Sequence, residues 1–392
     1  MEVKPKIETF ARIKVLGIGG SGTNAVNRMT QLGIKGVEFI SINTDAQALH
    51  NNQADRKVHI GKGATKGLGS GMNPELGRQA AEESVEELEE VIDNADMVFI
   101  TCGLGGGTGS GAAPIVAELA KNKGILTVGV VTKPFTFEGS KRKEVAETAY
   151  DNLKDKVDAI ISIHNDRILQ IIDKKTSLID AFKTVDEVLR QGIAGISDLI
   201  TTHGIVNADF ADVKSIMQDA GTALMGIGRA SGENRAQDAA KAAINSPLLE
   251  MTIDGAKGVL FNITGGASLG MFEIDEAAKV ITRSIDSDAK VKFGAVIDES
   301  MGEEVRITVI ATGFDESSRS NSPVAMVLND DAKKAKMPEP RMFAAPPAMT
   351  EVRKPMFNPK PAPPIEPAES PAPAAGDEDE LDIPAFIRKK MK

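Results

Sequence analysis

Hydrophobic and polar positions change period along the chain, and each period predicts a different kind of element. From about Ile13 to Ile163, short apolar runs alternate with stretches whose apolar residues recur at helical spacing. This alternation is typical of a doubly wound α/β domain with a mainly parallel sheet. Ser177–Thr202 is one long amphipathic stretch, which predicts a central helix. From Thr222 to Phe314 the order is strand, helix, strand, helix and two further strands, which predicts a smaller α/β domain with a mixed sheet.

The composition changes abruptly after Phe314. Thirteen of the 19 prolines lie between residues 316 and 376, among alanines and charged residues with almost no apolar periodicity. Such a stretch cannot bury enough surface to fold, so we expect an extended, disordered linker. Residues 377–390 then regain apolar side chains, with acids before them and bases after them. A short amphipathic element on a tether is typical of a partner-docking peptide, and a frayed, solvated terminus is the simpler alternative.

Charge and cysteine content argue against several classes of protein. The formal net charge of −10 argues against a broad nucleic-acid-binding face. The single cysteine, Cys102, excludes an internal disulfide and fits a reducing compartment. We interpret it as a packing residue, with a nucleophile as the alternative. The four histidines lack metal-ligand spacing. We find neither a signal peptide nor an apolar run of about 18 residues, so we expect a cytoplasmic protein without direct membrane insertion.

A glycine-rich loop, residues 103–111, separates an apolar run from a helix-forming stretch. The run Met97–Thr101 predicts a buried strand, and residues 112–123 predict a helix. Glycines between a strand and a helix expose successive backbone N–H groups at the positive end of the helix and let phosphate oxygens approach closely. A flexible turn is the alternative. Five glycines in seven residues would be an entropically costly way to build one, so the loop predicts an anion site for a nucleotide.

A second glycine loop follows the predicted strand Arg12–Leu16 and leads into a helix. Its glycines Gly17, Gly19 and Gly22 match the dinucleotide fingerprint G-x-G-x-x-G. Asp45 follows at close to the distance that this fingerprint requires for ribose binding. An NAD-dependent oxidoreductase that uses the Gly17–Gly22 loop is therefore a serious alternative function.

Three glycine loops suit a triphosphate better than a pyrophosphate. The third lies at residues 67–74, and a dinucleotide needs one such turn for its two phosphates. Neither principal loop contains G-K-[ST], so this is not a P-loop with its phosphate-binding lysine. We expect the phosphate charge to be met by backbone amides, helix N-termini and Mg²⁺.

Acidic residues of a different kind follow the central helix. Asn207 is a suitable N-cap, and Asp209 and Asp212 would lie one turn apart on the same face of the new helix. Acids in a first turn commonly do no more than complement the helix dipole. Two carboxylates on one face can instead polarise a water or bind a metal. Sequence alone leaves both interpretations open.

Several of these segments together resemble FtsZ, the prokaryotic tubulin-like cell-division GTPase, over nearly the whole chain. Residues 105–111 are similar to the tubulin-family signature G-G-G-T-G-[ST]-G, which is highly specific. Residues 207–212 resemble the synergy loop of that family, and residues 382–386 resemble its C-terminal docking peptide. The resemblance implies a tubulin-like fold, GTP or GDP as the nucleotide, Mg²⁺ bound mainly through the phosphates and water, and GTP hydrolysis linked to assembly.

The resemblance also implies site residues. The synergy loop of one subunit would complete the active site of the next in a head-to-tail filament. Asp209 and Asp212 would then position the attacking water in trans, supported by Asn207. Thr108 would lie near the γ-phosphate and Mg²⁺. The residues implied at the nucleotide are Gly19, Gly20, Ser21, Gly22, Thr23, Asn24, Asp45, Gly69, Ser70, Gly71, Gly105, Gly106, Gly107, Thr108, Gly109, Pro134, Glu138, Arg142, Asn165, Phe182 and Asp186. Among them, Glu138 and Arg142 match ribose-side contacts, Asn165 and Asp186 the guanine readers, and Phe182 the ring that packs on the base.

Domain organisation and partners follow from the same resemblance. It implies a GTP-binding domain over residues 1–175, a central helix over 176–206, a C-terminal GTPase-activating domain over 207–316, a disordered Pro/Ala-rich linker over 317–376 and a docking peptide over 377–392. The implied partners are further copies of the chain and, through residues 381–392, membrane-anchoring and regulatory division proteins. The implied location is the cytoplasm, at the mid-cell division ring.

Some positions depart from the family pattern. Ser21 and Thr23 stand where glycine, alanine or asparagine is common, and Ser70 and Met72 replace small residues in the third loop. Because the phosphate contacts use mainly backbone, we expect nucleotide binding to survive these changes. A filament protein whose nucleotide is merely structural is a third alternative, which the presence of both aspartates argues against.

Overall fold

The computed structural model describes residues 11–314, except residues 35, 174, 203 and 250. These residues belong to one compact unit of the chain. The predicted linker and docking peptide lie outside the described residues.

Strands and helices alternate through the first half of the described chain, as the apolar pattern predicts. The elements are β1 (Ile13–Ile18), α1 (Gly19–Leu32), β2 (Val37–Asn43), α2 (Ala46–His50), β3 (Arg56–His59), α3 (Lys62–Thr65), α4 (Pro74–Glu83), α5 (Val85–Ile92), β4 (Met97–Gly103), α6 (Gly107–Asn122), β5 (Leu126–Lys133), α7 (Ser140–Lys154), β6 (Ala159–His164) and α8 (Asn165–Ile168).

The second half begins with the predicted central helix. Its elements are α9 (Leu178–Thr201), α10 (Phe210–Met217), β7 (Gly221–Ser231), α11 (Arg235–Ile244), β8 (Gly258–Gly265), α12 (Met271–Thr282), β9 (Lys290–Ile297) and β10 (Glu304–Thr312). Ser177 caps α9, because its hydroxyl accepts the backbone N–H of Asp180 at 3.1 Å.

The strands form one sheet in the order β3-β2-β1-β4-β5-β6-β7-β10-β8-β9. From β3 to β7 neighbouring strands are parallel, β10 is antiparallel to β7 and β8, and β8 is parallel to β9. The doubly wound region and the mixed sheet are therefore confirmed. The pattern did not predict that the two regions share a single sheet, which β6 and β7 join over three residue pairs.

The strand order reverses between β1 and β4. From β1 the chain proceeds outwards through β2 and β3, and from β4 it proceeds in the opposite direction through β5 and β6. The helices that leave β1 and β4 therefore separate to opposite faces of the sheet and open a crevice at the carboxyl ends of these strands, which is where ligands bind in open parallel sheets. Both principal glycine loops lie at this point.

Both faces of the parallel region are covered, which explains why every residue of β1 is buried. Ile13 and Val15 pack in one apolar cluster with residues of α9, and Leu16 and Ile18 pack in another with residues of α6. The first cluster also contains Leu260 of β8, so the central helix packs in one core with strands of both regions. A separate cluster fills the C-terminal region around β8, β10, α11 and α12.

Helices α4 and α6 approach each other at glycines. A methyl group on Gly111 would collide with the carbonyl oxygen of Pro74, and one on Gly77 would collide with that of Gly107. This contact places α4 against the start of α6. The third glycine loop, which precedes α4, is held there as well.

We expect Gly111→Ala to lower the free energy of unfolding by about 1–3 kcal/mol, because the two helix backbones must move apart. The measurement is chemical denaturation of the full chain. Gly124→Asn is the matched control, because Gly124 is left-handed (φ 72°) with no atom near its missing side chain, and asparagine tolerates that backbone. An equal loss in both variants would contradict the role of the helix contact.

Candidate functional site

The glycine-rich segment at residues 103–111, the signature loop, runs into α6, which begins at Gly107, earlier than the predicted residue 112, and which no side chain caps. Leu104 is buried in the core below the loop, and the N–H of Gly105 is satisfied by the hydroxyl of Ser110 at 2.9 Å. The first N–H groups of a helix have no partner within the helix, so at an uncapped terminus they are available to an anion. A Cβ on Gly106 would meet only one atom within 4 Å, a carbonyl oxygen at 3.8 Å, so this glycine borders open space.

The second glycine loop, Gly17–Gly22, brings another uncapped helix terminus to the same place. Helix α1 starts directly after β1, and no side chain caps it. Gly19 has a left-handed backbone (φ 73°), and a Cβ there would lie 2.8 Å from the backbone nitrogen of Gly109. Gly19, Gly20, Gly106, Thr108 and Gly109 line one cavity of about 280 Å³. Two positive helix ends thus converge on a single anion-sized space.

The third loop is attached to the signature loop through hydroxyl groups. The Thr108 hydroxyl lies 2.8 Å from that of Ser70 and 2.6 Å from that of Thr44, and all three residues are buried. Gly69 and Ser70 line the same cavity. Met72 has a left-handed backbone (φ 61°), which is strained for a residue with a side chain, and it is half exposed at the loop tip.

A second cavity of about 310 Å³ continues from the first, since Ser21, Gly103 and Arg142 line both. Arg142 pairs with Glu138 at 2.9 Å, and Glu138 also accepts the backbone N–H of Phe135. The second cavity collects most of the remaining predicted residues. They are Asn24, Pro134, Glu138, Asn165, Phe182 and Asp186.

The far end of this cavity has a partly exposed aromatic ring and two buried or partly buried side-chain acceptors, which suits a planar ligand with hydrogen-bond donors. The Phe182 ring is partly exposed and packs edge-on against Phe135, with 5.6 Å between centroids. The side-chain oxygen of Asn165 is buried and has no hydrogen-bond partner within the described structure. Burial raises the pKa of Asp186 to about 6, although Arg28, 4.0 Å away, opposes the shift. A ligand that donates to these oxygens would relieve both costs.

Four of the residues predicted at the nucleotide do not line either cavity. They are Gly22, Thr23, Gly71 and Gly105. Gly22 packs against the carbonyl of Thr101, and the Thr23 hydroxyl donates to the carbonyl of Gly19 at 2.9 Å, so both support the Gly17–Gly22 loop from the side away from the cavity. Gly71 (φ 55°) and Gly105 (φ 91°) provide left-handed turns.

Other residues of the cavity walls were not predicted from the sequence. Asn43 ends β2 and Thr44 follows it, and both line the glycine-lined cavity. Their position at the carboxyl end of a parallel strand was the available signal. Asp45, which the NAD alternative assigned to ribose, lines this cavity while its carboxylate caps α2 by accepting from Gln47 and Ala48. Cys102 is buried, and burial raises the pKa of its thiol to about 12, so it is a packing residue.

The structure corrects the predicted start of the helix after α9. Helix α10 begins at Phe210, and its N-cap is Asp209, not Asn207. The Asp209 carboxylate accepts the backbone N–H of Asp212 at 2.7 Å, which only a side chain directly before the first turn can reach. Asn207 instead accepts the N–H of Gly204 at 2.7 Å and closes the preceding turn. Asp209 therefore does cap the helix, as the simpler interpretation held, whereas Asp212 pairs with Lys292 at 2.7 Å.

The aspartates lie at the opposite edge of the sheet from the two cavities. Asp186 and Leu189 of α9 line the second cavity. Thr201, which ends this helix of about 36 Å, contacts Gly36 just before β2. The chain after α10 returns to the amino end of β6, where the N–H of Gly221 bonds to the carbonyl of Asp158 at 2.9 Å. None of Asn207, Asp209 and Asp212 lines either cavity.

Within the described residues, no group of three or more His, Cys, Asp or Glu side chains is placed to hold a metal ion. No helix of this part of the chain is long and apolar enough to span a membrane.

Comparison with known proteins agrees with this geometry. The model of the GTPase domain of the Tubulin/FtsZ family matches residues 12–173, and that of the C-terminal domain of the FtsZ family matches residues 221–315. The empty FtsZ dimer of M. jannaschii is 45% identical with a TM-score of 0.76, over 78% of this chain and 89% of that one. The GDP-bound monomer of CetZ1 from Haloferax volcanii is 22% identical with a TM-score of 0.69, over 83% and 99%, and supports the fold alone.

The fold, the cavity and these matches define a GTPase of the tubulin class, which binds guanine nucleotides. Within that class, the chain belongs to the FtsZ family. The alternative of an NAD-dependent oxidoreductase is left without support.

We expect the affinity for GDP to fall about tenfold between pH 7 and pH 5 and to be level above pH 7. A carboxylate that accepts hydrogen bonds from the ligand must be deprotonated, and with a pKa of about 6 only about one tenth of Asp186 is deprotonated in the free protein at pH 5. The measurement is a titration with a fluorescent GDP analogue. Asp186→Asn should bind more weakly and without this pH dependence. An unchanged profile in that variant would remove Asp186 from the ligand contacts.

Proposed function

We propose that this protein is an assembly-dependent GTPase whose active site forms between two copies of the chain. The observation that carries the proposal is the separation of the nucleotide cavity from Asp209 and Asp212, at opposite ends of α9. Within one molecule these carboxylates cannot reach the cavity. A second copy stacked in the same orientation would present its aspartate edge to the first copy's nucleotide edge. Such a heterologous contact does not close on itself, so it propagates into a filament.

Exposed apolar side chains at both edges support this contact. Leu68 and Met72 project from the third loop beside the cavity, and Ile205 projects from the loop before Asp209. Apolar side chains left in water on two opposite edges favour burial against each other. The 45% identical FtsZ from M. jannaschii has been solved as an empty dimer, and two copies are the smallest number that such a contact requires.

The two cavities divide the nucleotide between them. The triphosphate would occupy the glycine-lined cavity, where the amino ends of α1 and α6 supply N–H groups and positive potential. Mg²⁺ would bind the phosphates and water, with the hydroxyl of Thr108 nearby, and would neutralise charge that develops on the γ-phosphate. The ribose would lie by Glu138 and Arg142.

Guanine fits the far end of the second cavity. Its N1–H and 2-amino groups are the two donors that the Asp186 carboxylate would accept, and adenine offers no such pair. The unpartnered oxygen of Asn165 is a further acceptor, and the Phe182 ring provides an apolar face for the base. A buried acceptor that adenine leaves unpaired gives strong discrimination between the bases.

Hydrolysis would follow from the aspartates of the next subunit. Asp212 would accept a proton from the attacking water or hold it in line with the γ-phosphate, and Asp209 would fix the first turn of α10 that carries Asp212. Asn207 would hold the turn before them at the interface. Because the carboxylates arrive only with a neighbour, GTP is hydrolysed only after assembly.

The cellular role that we propose is the cytoplasmic division ring at mid-cell. Filaments of this protein would form the ring, and residues 381–392 would recruit membrane-anchoring and regulatory division proteins. The motif Asp382-Ile383-Pro384-Ala385-Phe386 supports this role through its resemblance to the docking peptide of the family. The linker would give the peptide reach from the filament surface.

We expect GTP hydrolysed per molecule per minute to be near zero below a threshold protein concentration and to rise above it, with Mg²⁺ present. Phosphate release measured across a dilution series tests this. Asp212→Ala should bind GTP normally and lose at least about a hundredfold in turnover. A specific rate that does not depend on concentration would show that one chain carries the whole site.

Deleting residues 381–392 should leave turnover and the threshold concentration nearly unchanged and abolish recruitment to vesicles that carry a membrane-anchored division protein. Co-sedimentation with those vesicles is the measurement, and vesicles without the anchor are the control. Recruitment that persists after the deletion would contradict the docking role.

A further inference from the structure

We propose that Lys292, on strand β9, positions the Asp212 carboxylate for the reaction at the neighbouring subunit's nucleotide and offsets part of the negative charge brought there. The inference rests on the active site in trans proposed above, and it adds a residue that lies outside the acidic loop.

The ammonium of Lys292 contacts the functional carboxylate directly. Its Nζ lies 2.7 Å from Oδ1 of Asp212, while the backbone N–H of Asp212 is held at 2.7 Å by Asp209. The side chain of Asp212 is thus fixed from one side by Lys292 and its backbone from the other by Asp209. Both partners of the ion pair are partly exposed, at 45% for Lys292 and 30% for Asp212, so the carboxylate stays accessible to a neighbouring molecule.

Strand β9 holds the acidic loop as well as the lysine. The N–H of Ile205 donates to the carbonyl of Ala295, and the N–H of Ala295 donates to the carbonyl of Val206, both at 2.9 Å. Ala295 is three residues along the strand from Lys292. Strand β9 therefore holds both the loop backbone and the Asp212 side chain. A rigid strand keeps a reactive group in place better than a loop alone.

Lys292 also reduces the negative charge at the proposed interface. Asp209 and Asp212 would bring two negative charges towards a triphosphate that is itself an anion, and the repulsion between the carboxylates and the phosphates would displace the Asp212 side chain within the assembled contact. Lys292 cancels one of these charges without blocking the approach. The hydrogen bond that it donates to Asp212, with the charges of Asp212 and Asp209, raises the pKa of Lys292, so the ammonium keeps its charge at neutral pH.

A purely structural role for the ion pair predicts that loss of Lys292 changes the folding stability and not the rate. Exposed ion pairs contribute little to folding stability, so loss of Lys292 should leave the fold and the protein's own nucleotide cavity intact. A positioning role predicts a loss in the rate at saturating GTP with no loss in GTP affinity.

The test compares Lys292→Ala, Lys292→Arg and Lys290→Ala. Lys290 is two residues away on the same strand, so it lies on the same face, is exposed, and loses the same charge on substitution. We expect Lys292→Ala to lower the rate per assembled subunit about tenfold, within the hundredfold that a misplacement of about 1 Å can cost. Lys292→Arg should recover most of the rate, and Lys290→Ala should match the parent chain. GTP affinity and the threshold concentration should stay unchanged in all three.

A complementation assay decides which subunit needs the lysine. One subunit carries Asp212→Ala, and the other carries Asp186→Ala, checked by direct titration to bind no GTP. Each is inactive alone, and a mixture should turn over at their shared contacts. Adding Lys292→Ala to the Asp186→Ala subunit should lower this turnover about tenfold. Adding it to the Asp212→Ala subunit should have no effect.

The outcomes separate this inference from the proposed function. A mixture without turnover, together with a rate independent of concentration, would overturn the active site in trans. A turnover of the mixture that stays the same when Lys292→Ala is placed in either subunit would overturn the inference alone. So would a raised threshold with an unchanged rate per assembled subunit, which would make Lys292 an interface contact, or a rate that rises when the lysine is removed.

Discussion

The close approach of backbone to backbone at the ends of β1 and β4 is the constraint on which the site depends. A Cβ on Gly19 would lie 2.8 Å from the backbone nitrogen of Gly109, and one on Gly107 would collide with Ser70 and with the backbone of Asn73 in the third loop. This contact lets two helix termini point into one cavity. Phosphate charge can then be met by backbone N–H groups and helix dipoles, without the lysine that a P-loop supplies.

The central helix separates that cavity from the acidic loop. Helix α9 lines the second cavity with its first half and ends at the other edge of the sheet, where the acidic loop begins. It also packs against strands of both regions, so the two ends are held at a fixed separation. A rigid spacer between a bound nucleotide and the groups proposed to hydrolyse it makes a neighbouring copy the natural source of those groups.

Several local costs are concentrated at this site. Asp186 carries a carboxylate where burial disfavours charge, Asn165 leaves an oxygen unpaired, and Met72 adopts a left-handed backbone. The described core is otherwise built largely from buried apolar clusters, and helices such as α9 are capped by side chains. Local costs that gather around one cavity are typical of a binding site that its ligand completes.

The sequence by itself determined the element types, because period and glycine placement are local properties. It predicted the alternating strands and helices, the long helix near Ser177–Thr202, and the loops that border the cavity. Tertiary structure alone decided that Thr44 meets Thr108, that Asp209 replaces Asn207 as the cap, and that Lys292 meets Asp212. These contacts join segments far apart in the chain or depend on where a turn closes, and a one-dimensional pattern contains neither strand register nor the direction of a side chain.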